Sequence, residues 1–164
     1  MTAGVAALWG ATLLVSLVAG FLFAFAVVVM PGIRELEDGD FVRAFQRIDG
    51  VIQGGDPLFG LVFVGSVVSL LAAVALGVPA EAGLERVLLL AAGGIYVAGV
   101  LIPTGTVNVP LNNRLQRLDV EALDLAQLRA AREMFEPRWN RWNRIRTALA
   151  CVSAALMTSL LLIQ

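Results

Sequence analysis

A chain of 164 residues that is 59% hydrophobic and 15% charged falls outside the range of soluble domains, in which roughly a quarter of residues are charged. Its net charge of −1 decides little, because a membrane protein is oriented by where its basic residues lie rather than by their sum with the acids. With no His and a single Cys, transition-metal and haem sites are poorly supplied; the composition points to lipid, and no cofactor or metal is expected.

No Asp, Glu or Arg occurs in residues 1–33, 57–80, 87–113 or 147–164. Each uncharged run is long enough to cross a hydrocarbon core of about 30 Å as a helix. The pattern predicts one all-α domain over 1–164, a four-helix transmembrane bundle with spans near 8–30, 58–78, 87–107 and 146–163. The first apolar run has no basic n-region and no small-residue cleavage site, so it reads as a retained span. Its Ser16, Gly20 and Ala24 recur every fourth residue, a small-residue stripe suited to close helix packing. Ala150, Ala154 and Thr158 form a comparable stripe, which predicts contact between the first and last spans. Met30-Pro31-Gly32 is expected to stop the first helix.

The connection that follows is patterned. Phe41, Phe45, Ile48 and Ile52 fall at i, i+4, i+7 and i+11, one face of a short amphipathic helix. Asp40 is its expected N-cap and Gly54-Gly55 its stop. Gln46, Asp49 and Gln53 gather within about 60° beside that face. The pattern leaves two roles open for Asp49, a water-facing residue paired with an arginine such as Arg47, or part of a site.

The third span carries Pro103, expected to kink it, and ends in NVPLNNRL, residues 108–115. The second long connection predicts an amphipathic helix from about Asp124 to Glu136 that Pro137 ends or kinks. After it comes RWNRWNRIRT, Arg138 to Thr147, with four arginines, two tryptophans and two asparagines. At 100° per residue Asn140, Asn143 and Thr147 share one sector, Trp139, Trp142 and Arg146 the next, and Arg141 and Arg144 point away. The last two suit lipid phosphates, whereas amides turned into a bundle must find partners there. Cys151 reads as a small buried apolar residue.

Twelve arginines and no lysine supply the positive charge, and eleven of them lie in the two long connections, with Arg86 alone on the other side. The positive-inside rule predicts both long loops in the cytoplasm and both termini outside; the Arg-only usage suggests a bacterial inner membrane. The arginine-rich loop also holds Asp119, Glu121, Asp124, Glu133 and Glu136, so nucleic acid is not an expected partner. A transporter is disfavoured, because the apolar spans carry no charged coupling site. Expected partners are membrane lipids, a hydrophobic aromatic small molecule and further copies of the chain.

Asn108, Asn112 and Asn113 from the third span, Gln46 and Asp49 from the loop helix, and Asn140, Asn143 and Arg146 from the last segment all fall near one membrane face. They predict a polar pocket under an apolar bundle, suited to a planar, partly polar molecule. An interlocked hydrogen-bond network fits the same pattern, and the sequence leaves both open.

MPGIRELEDGDFVRAFQRID, NVPLNNRL and RWNRWNRIRT, in this order on four spans, resemble the DUF1772 family, the anthrone oxygenase-like membrane proteins. The resemblance implies oxidation of a polyketide anthrone to an anthraquinone by a cofactor-free monooxygenase, in which a base removes an acidic methylene proton and the anion reacts with O₂. Such a route needs a base and donors for the enolate oxygen. From the wheel positions, Asp49 is the expected base, with Arg146, Asn140 and Asn143 as oxyanion donors. Trp139 or Trp142 would be the stacking wall, and Gln46, Asn108 and Asn112 would bind substrate. The alternative is a non-enzymatic accessory protein holding a quinone, a lipid or a partner helix.

Overall fold

The computed structural model describes residues 2–80 and 82–163, and no strand occurs among them. Four helices are long and apolar enough to cross a membrane: α1 (Ala3–Arg34), α3 (Pro57–Ala80), α4 (Gly83–Gln116) and α5 (Leu125–Ile163). Between the first two lies the amphipathic α2 (Asp38–Gln53). α1 packs on α3 and α5, and α4 packs on the same two, so the four form a closed ring. α2 lies across one end of the ring, against α5 and the C-terminal part of α4.

Outward faces are apolar. Trp9, Leu13, Leu61, Val64, Val68 and Val87 are all more than half exposed, a surface stable in hydrocarbon and costly in water. Two apolar cores lie inside. One, between the spans, includes Val15, Leu70, Tyr96, Ala150 and Met157. The other lies under α2 and includes Phe41, Phe45, Leu115, Phe135 and Trp139. Polar groups within the first core find partners, as lipid requires: Ser66 Oγ lies 2.8 Å from the Tyr96 hydroxyl, and Ser153 donates to the Ala92 carbonyl at 2.9 Å.

Prolines do not break these helices. The N–H groups of Met30, Ile102 and Val109 bond five residues back, to the carbonyls of Phe25, Val97 and Thr104. The next residue in each case is a proline, Pro31, Pro103 or Pro110. A proline ring meets the carbonyl four residues earlier and offers no N–H; a widened π turn just ahead of it relieves that crowding. The expected stop at Pro31-Gly32 is therefore corrected, since α1 runs on to Arg34. Pro137 likewise lies inside α5. Both it and Glu133 are exposed, so the carbonyl that loses its donor is open to water. The amphipathic segment after Asp124 and the last span are one helix, not two.

The expected stripe on α1 is also corrected. α1 does pack on α5, but its buried residues are Leu8, Ala11, Val15, Val18, Ala19 and Leu22, while Ser16 and Gly20 are exposed. The buried face of α1 mixes leucines and valines with Ala11 and Ala19, and it meets Ala150 and Ala154 of α5 in the same core. Cys151 is exposed on the outer face of α5, not buried. The close helix approach is at Gly99, where an added Cβ would collide with the Leu149 side chain and come within 2.8 Å of its Cβ. Gly99→Ala must push α4 from α5, an overpacking cost of about 1–3 kcal/mol, and thermal unfolding in detergent should show a clearly lower midpoint.

Arg132 fastens the turn between α1 and α2 to α5. Its guanidinium donates to the carbonyls of Arg34 (2.6 Å) and Leu36 (2.8 Å) and to Asp38 (3.0 Å) and Glu136 (2.8 Å). It also lies 4.4 Å over the Phe41 ring. α2 is thus held on α5 by a fully engaged arginine and by its own apolar face.

Candidate functional site

α2 brings Asp49 into the protein. Phe41 and Phe45 are buried on its apolar face, and Asp49, one turn beyond Phe45, is 3% exposed, so it neither faces water nor pairs with Arg47. Its Oδ1 accepts from Asn112 Nδ2 at 2.7 Å. Its Oδ2 accepts from Gln53 Nε2 at 2.6 Å and Gln116 Nε2 at 3.0 Å. A carboxylate has about four acceptor positions, so one remains open, on Oδ1. Asn112 Oδ1 in turn accepts from the Trp139 indole N–H at 2.8 Å, which fixes the amide with its NH₂ toward Asp49.

Arg146 enters from α5 and is 5% exposed. It donates through Nη1 to Thr104 Oγ1 and through Nη2 to Asn143 Oδ1, each at 3.0 Å, and it lies 5.9 Å from the Trp139 ring centre. No carboxylate pairs with it among the described residues, and its Nε has no hydrogen-bond partner. Asn143 spends its NH₂ on the Leu22 carbonyl of α1 at 3.0 Å. Asn108 donates to the Trp139 carbonyl at 3.4 Å, while its Oδ1 is buried without a partner. Lone buried cations and orphaned acceptors are costly, which sets Arg146 and Asn108 apart from the satisfied polar groups elsewhere in the bundle.

Asp49, Gln53, Thr104, Asn108, Asn112 and Arg146 line one cavity of about 440 Å³ between the two apolar cores, within the range of small-molecule sites. Among the described residues, Asp49 and Arg146 are the only charged ones lining it. Part of its wall is aromatic, with the Phe21 ring centre 5.3 Å from that of Phe59 and 4.9 Å from that of Phe25, and Phe25 5.7 Å from Trp139. Several lining residues remain exposed, among them Leu17 at 48%, Leu58 at 72% and Val109 at 41%, so the opening has an apolar rim facing the bilayer side. Among the described residues, no three His, Cys, Asp or Glu come together in a metal-holding group.

Of the residues expected from sequence, Asp49, Asn108, Asn112, Trp139, Asn143 and Arg146 meet at this cavity, as does Asn113. Three others do not line it. Gln46 instead donates to the Leu115 and Leu118 carbonyls at 2.9 and 3.0 Å, closing the C-terminal end of α4. Asn140 faces a separate small notch beside Met30, Arg34 and Arg144. Trp142 is half-buried, away from the cavity. The reason is angular: Trp139, Asn143 and Arg146 span about 60° of the helix, and Asn140 and Trp142 flank that arc on either side. Thr104 and Gln116, not foreseen, join Asn108 and Asn112 in a run of polar residues at every fourth position of α4. That spacing was a readable signal for one polar face.

No curated protein and no solved structure matches the chain. The model of one family, described as Anthrone oxygenase, matches residues 50–156. That match begins one residue after Asp49 and takes in Thr104, Asn108, Asn112, Trp139, Asn143 and Arg146. It covers more than half of the 164 residues, and the chain therefore belongs to the anthrone oxygenase family.

Proposed function

We propose that the protein is a membrane-embedded oxygenase acting on a hydrophobic polycyclic phenol of the anthrone kind, drawn from the bilayer and oxidised without a cofactor. The observation that carries this reading is that Asp49 and Arg146, both buried, line one cavity yet are not paired with each other. A flat substrate between them gives its acidic methylene proton to the open position on Asp49 Oδ1. Its carbonyl oxygen, becoming an enolate, faces the uncompensated guanidinium. Asn108 Oδ1 is an acceptor for a phenolic O–H. The carbanion then adds O₂, the resulting peroxide anion takes the proton back from Asp49, and the hydroperoxide loses water. The CH₂ group and O₂ become C=O and H₂O, with O₂ as oxidant and the substrate as the source of electrons. In this reading the arginine-rich end faces the cytoplasm and both termini lie outside.

A second reading, a non-catalytic membrane component that holds a quinone in the same cavity, is favoured by the three amides that donate to Asp49 and take up most of its acceptor positions. Oxygen uptake separates the two. Purified protein in detergent, given an anthrone, should consume O₂ and form the quinone well above the rate in empty micelles. A rate equal to that of empty micelles would leave the binding role.

A further inference from the structure

A second cavity, of about 460 Å³, lies between the C-terminal end of α4, the turn before α5 and the first turns of α5. Its apolar lining includes Leu115, Leu118, Met134 and Phe135, Arg114 and Arg138 line it too, and no acidic residue among the described ones does. Arg43, Arg129 and Arg132 all make ion pairs. Arg114 and Arg138 make none among the described residues, although Glu121, Glu133 and Glu136 are close in sequence. Arg114 is the first charged residue after the uncharged run 87–113, so it stands where hydrocarbon gives way to headgroups. Arg138 lies eight residues before Arg146, about 12 Å further out along α5, close to the outer edge of the headgroup layer. The two guanidiniums therefore bracket the level at which lipid phosphates lie.

We propose that this cavity binds an anionic phospholipid, with its phosphodiester between Arg114 and Arg138 and part of one acyl chain on the apolar floor. The planar guanidinium fork matches phosphate oxygens two at a time, and the absence of lining acid leaves the charge for a ligand to neutralise. The site is separate from the first cavity but adjoins it. Phe135 forms part of its floor and touches Phe45 and Trp139, at ring distances of 4.6 and 6.2 Å, and both of those line the first cavity. A bound lipid braces that shared aromatic wall.

The test is native mass spectrometry of the purified full chain in detergent, titrated with dioleoylphosphatidylglycerol or dioleoylphosphatidylcholine. Wild type should prefer the anionic lipid. The double variant Arg114→Gln/Arg138→Gln should bind it about thirtyfold more weakly, two arginines at the surface contributing together. Ala131→Trp, which fills the cavity and leaves both charges, should also weaken it. Arg141→Gln/Arg144→Gln, which removes two exposed arginines elsewhere on α5, should keep the wild-type preference. Unfolding midpoints identify any variant that fails to fold, and Ala131→Trp carries the test if the arginine pair does. Equal binding of the two lipids, wild-type affinity in the double variant, or an equal loss in the Arg141/Arg144 pair would overturn the proposal. Tighter retention of oleate than of the phospholipid would overturn it in favour of a free carboxylate.

Discussion

Asp49→Asn should lower anthrone turnover by about 10²–10⁴, the range lost with a general base, while the protein still inserts and still binds. Asparagine keeps the volume but cannot take up the proton. The site can accommodate it. Asn112 must donate, because Trp139 occupies its oxygen, so the new side chain turns its own oxygen to Asn112 and its NH₂ toward Gln53. The Gln53 amide is free to rotate and accept. Gln116 also donates to the Gln46 carbonyl at 2.9 Å, so it stays a donor and its bond to the former Oδ2 is lost. The expected signature is therefore a fall in kcat with KM largely kept, and an unfolding midpoint only modestly below that of wild type, the cost of one lost hydrogen bond. Oxygen uptake and a binding titration on the purified variant check both. Turnover at the wild-type rate would remove Asp49 from the base role.

The spans were legible because uncharged apolar runs of 18 or more residues admit one reading in lipid. α2 was legible for a different reason: Phe41, Phe45, Ile48 and Ile52 recur at helical spacing, and burying that face carries Asp49 in with it. What the pattern could not reveal was where helices continue. Pro31 and Pro137 read as stops from local chemistry, but a π turn ahead of one and water beside the other remove the penalty, and neither shows in composition. The inward arc of α5 was found only to within a helical sector. Periodicity fixes which residues share a face, while the neighbours α1 and α4 decide where that face is centred. Trp139, Asn143 and Arg146 fell inside the arc; Asn140 and Trp142 fell just outside it. Gln46 was on the expected face of α2, yet the nearest unmet need there was the carbonyl end of α4.

Arg146→Gln separates a functional arginine from a structural one, because the two roles predict opposite changes in stability. An arginine that holds a bundle together through a buried carboxylate leaves that carboxylate uncompensated when removed, and costs about 3–5 kcal/mol. Arg146 has no such partner; its Nη atoms reach only Thr104 and Asn143, and Nε reaches nothing. Glutamine retains a donor for Asn143, three residues earlier on the same helix, and removes a buried charge that the protein does not neutralise. The unfolding midpoint of the empty protein should therefore stay level or rise. Turnover should fall by about 10²–10³, the effect of losing one oxyanion donor, and the stabilisation given by a quinone or phenolate ligand should fall with it. Thermal unfolding with and without the ligand, read beside oxygen uptake, measures all three quantities on one preparation. A variant that loses stability and activity together would make Arg146 a bundle residue, and would move the oxyanion role off the α5 arc.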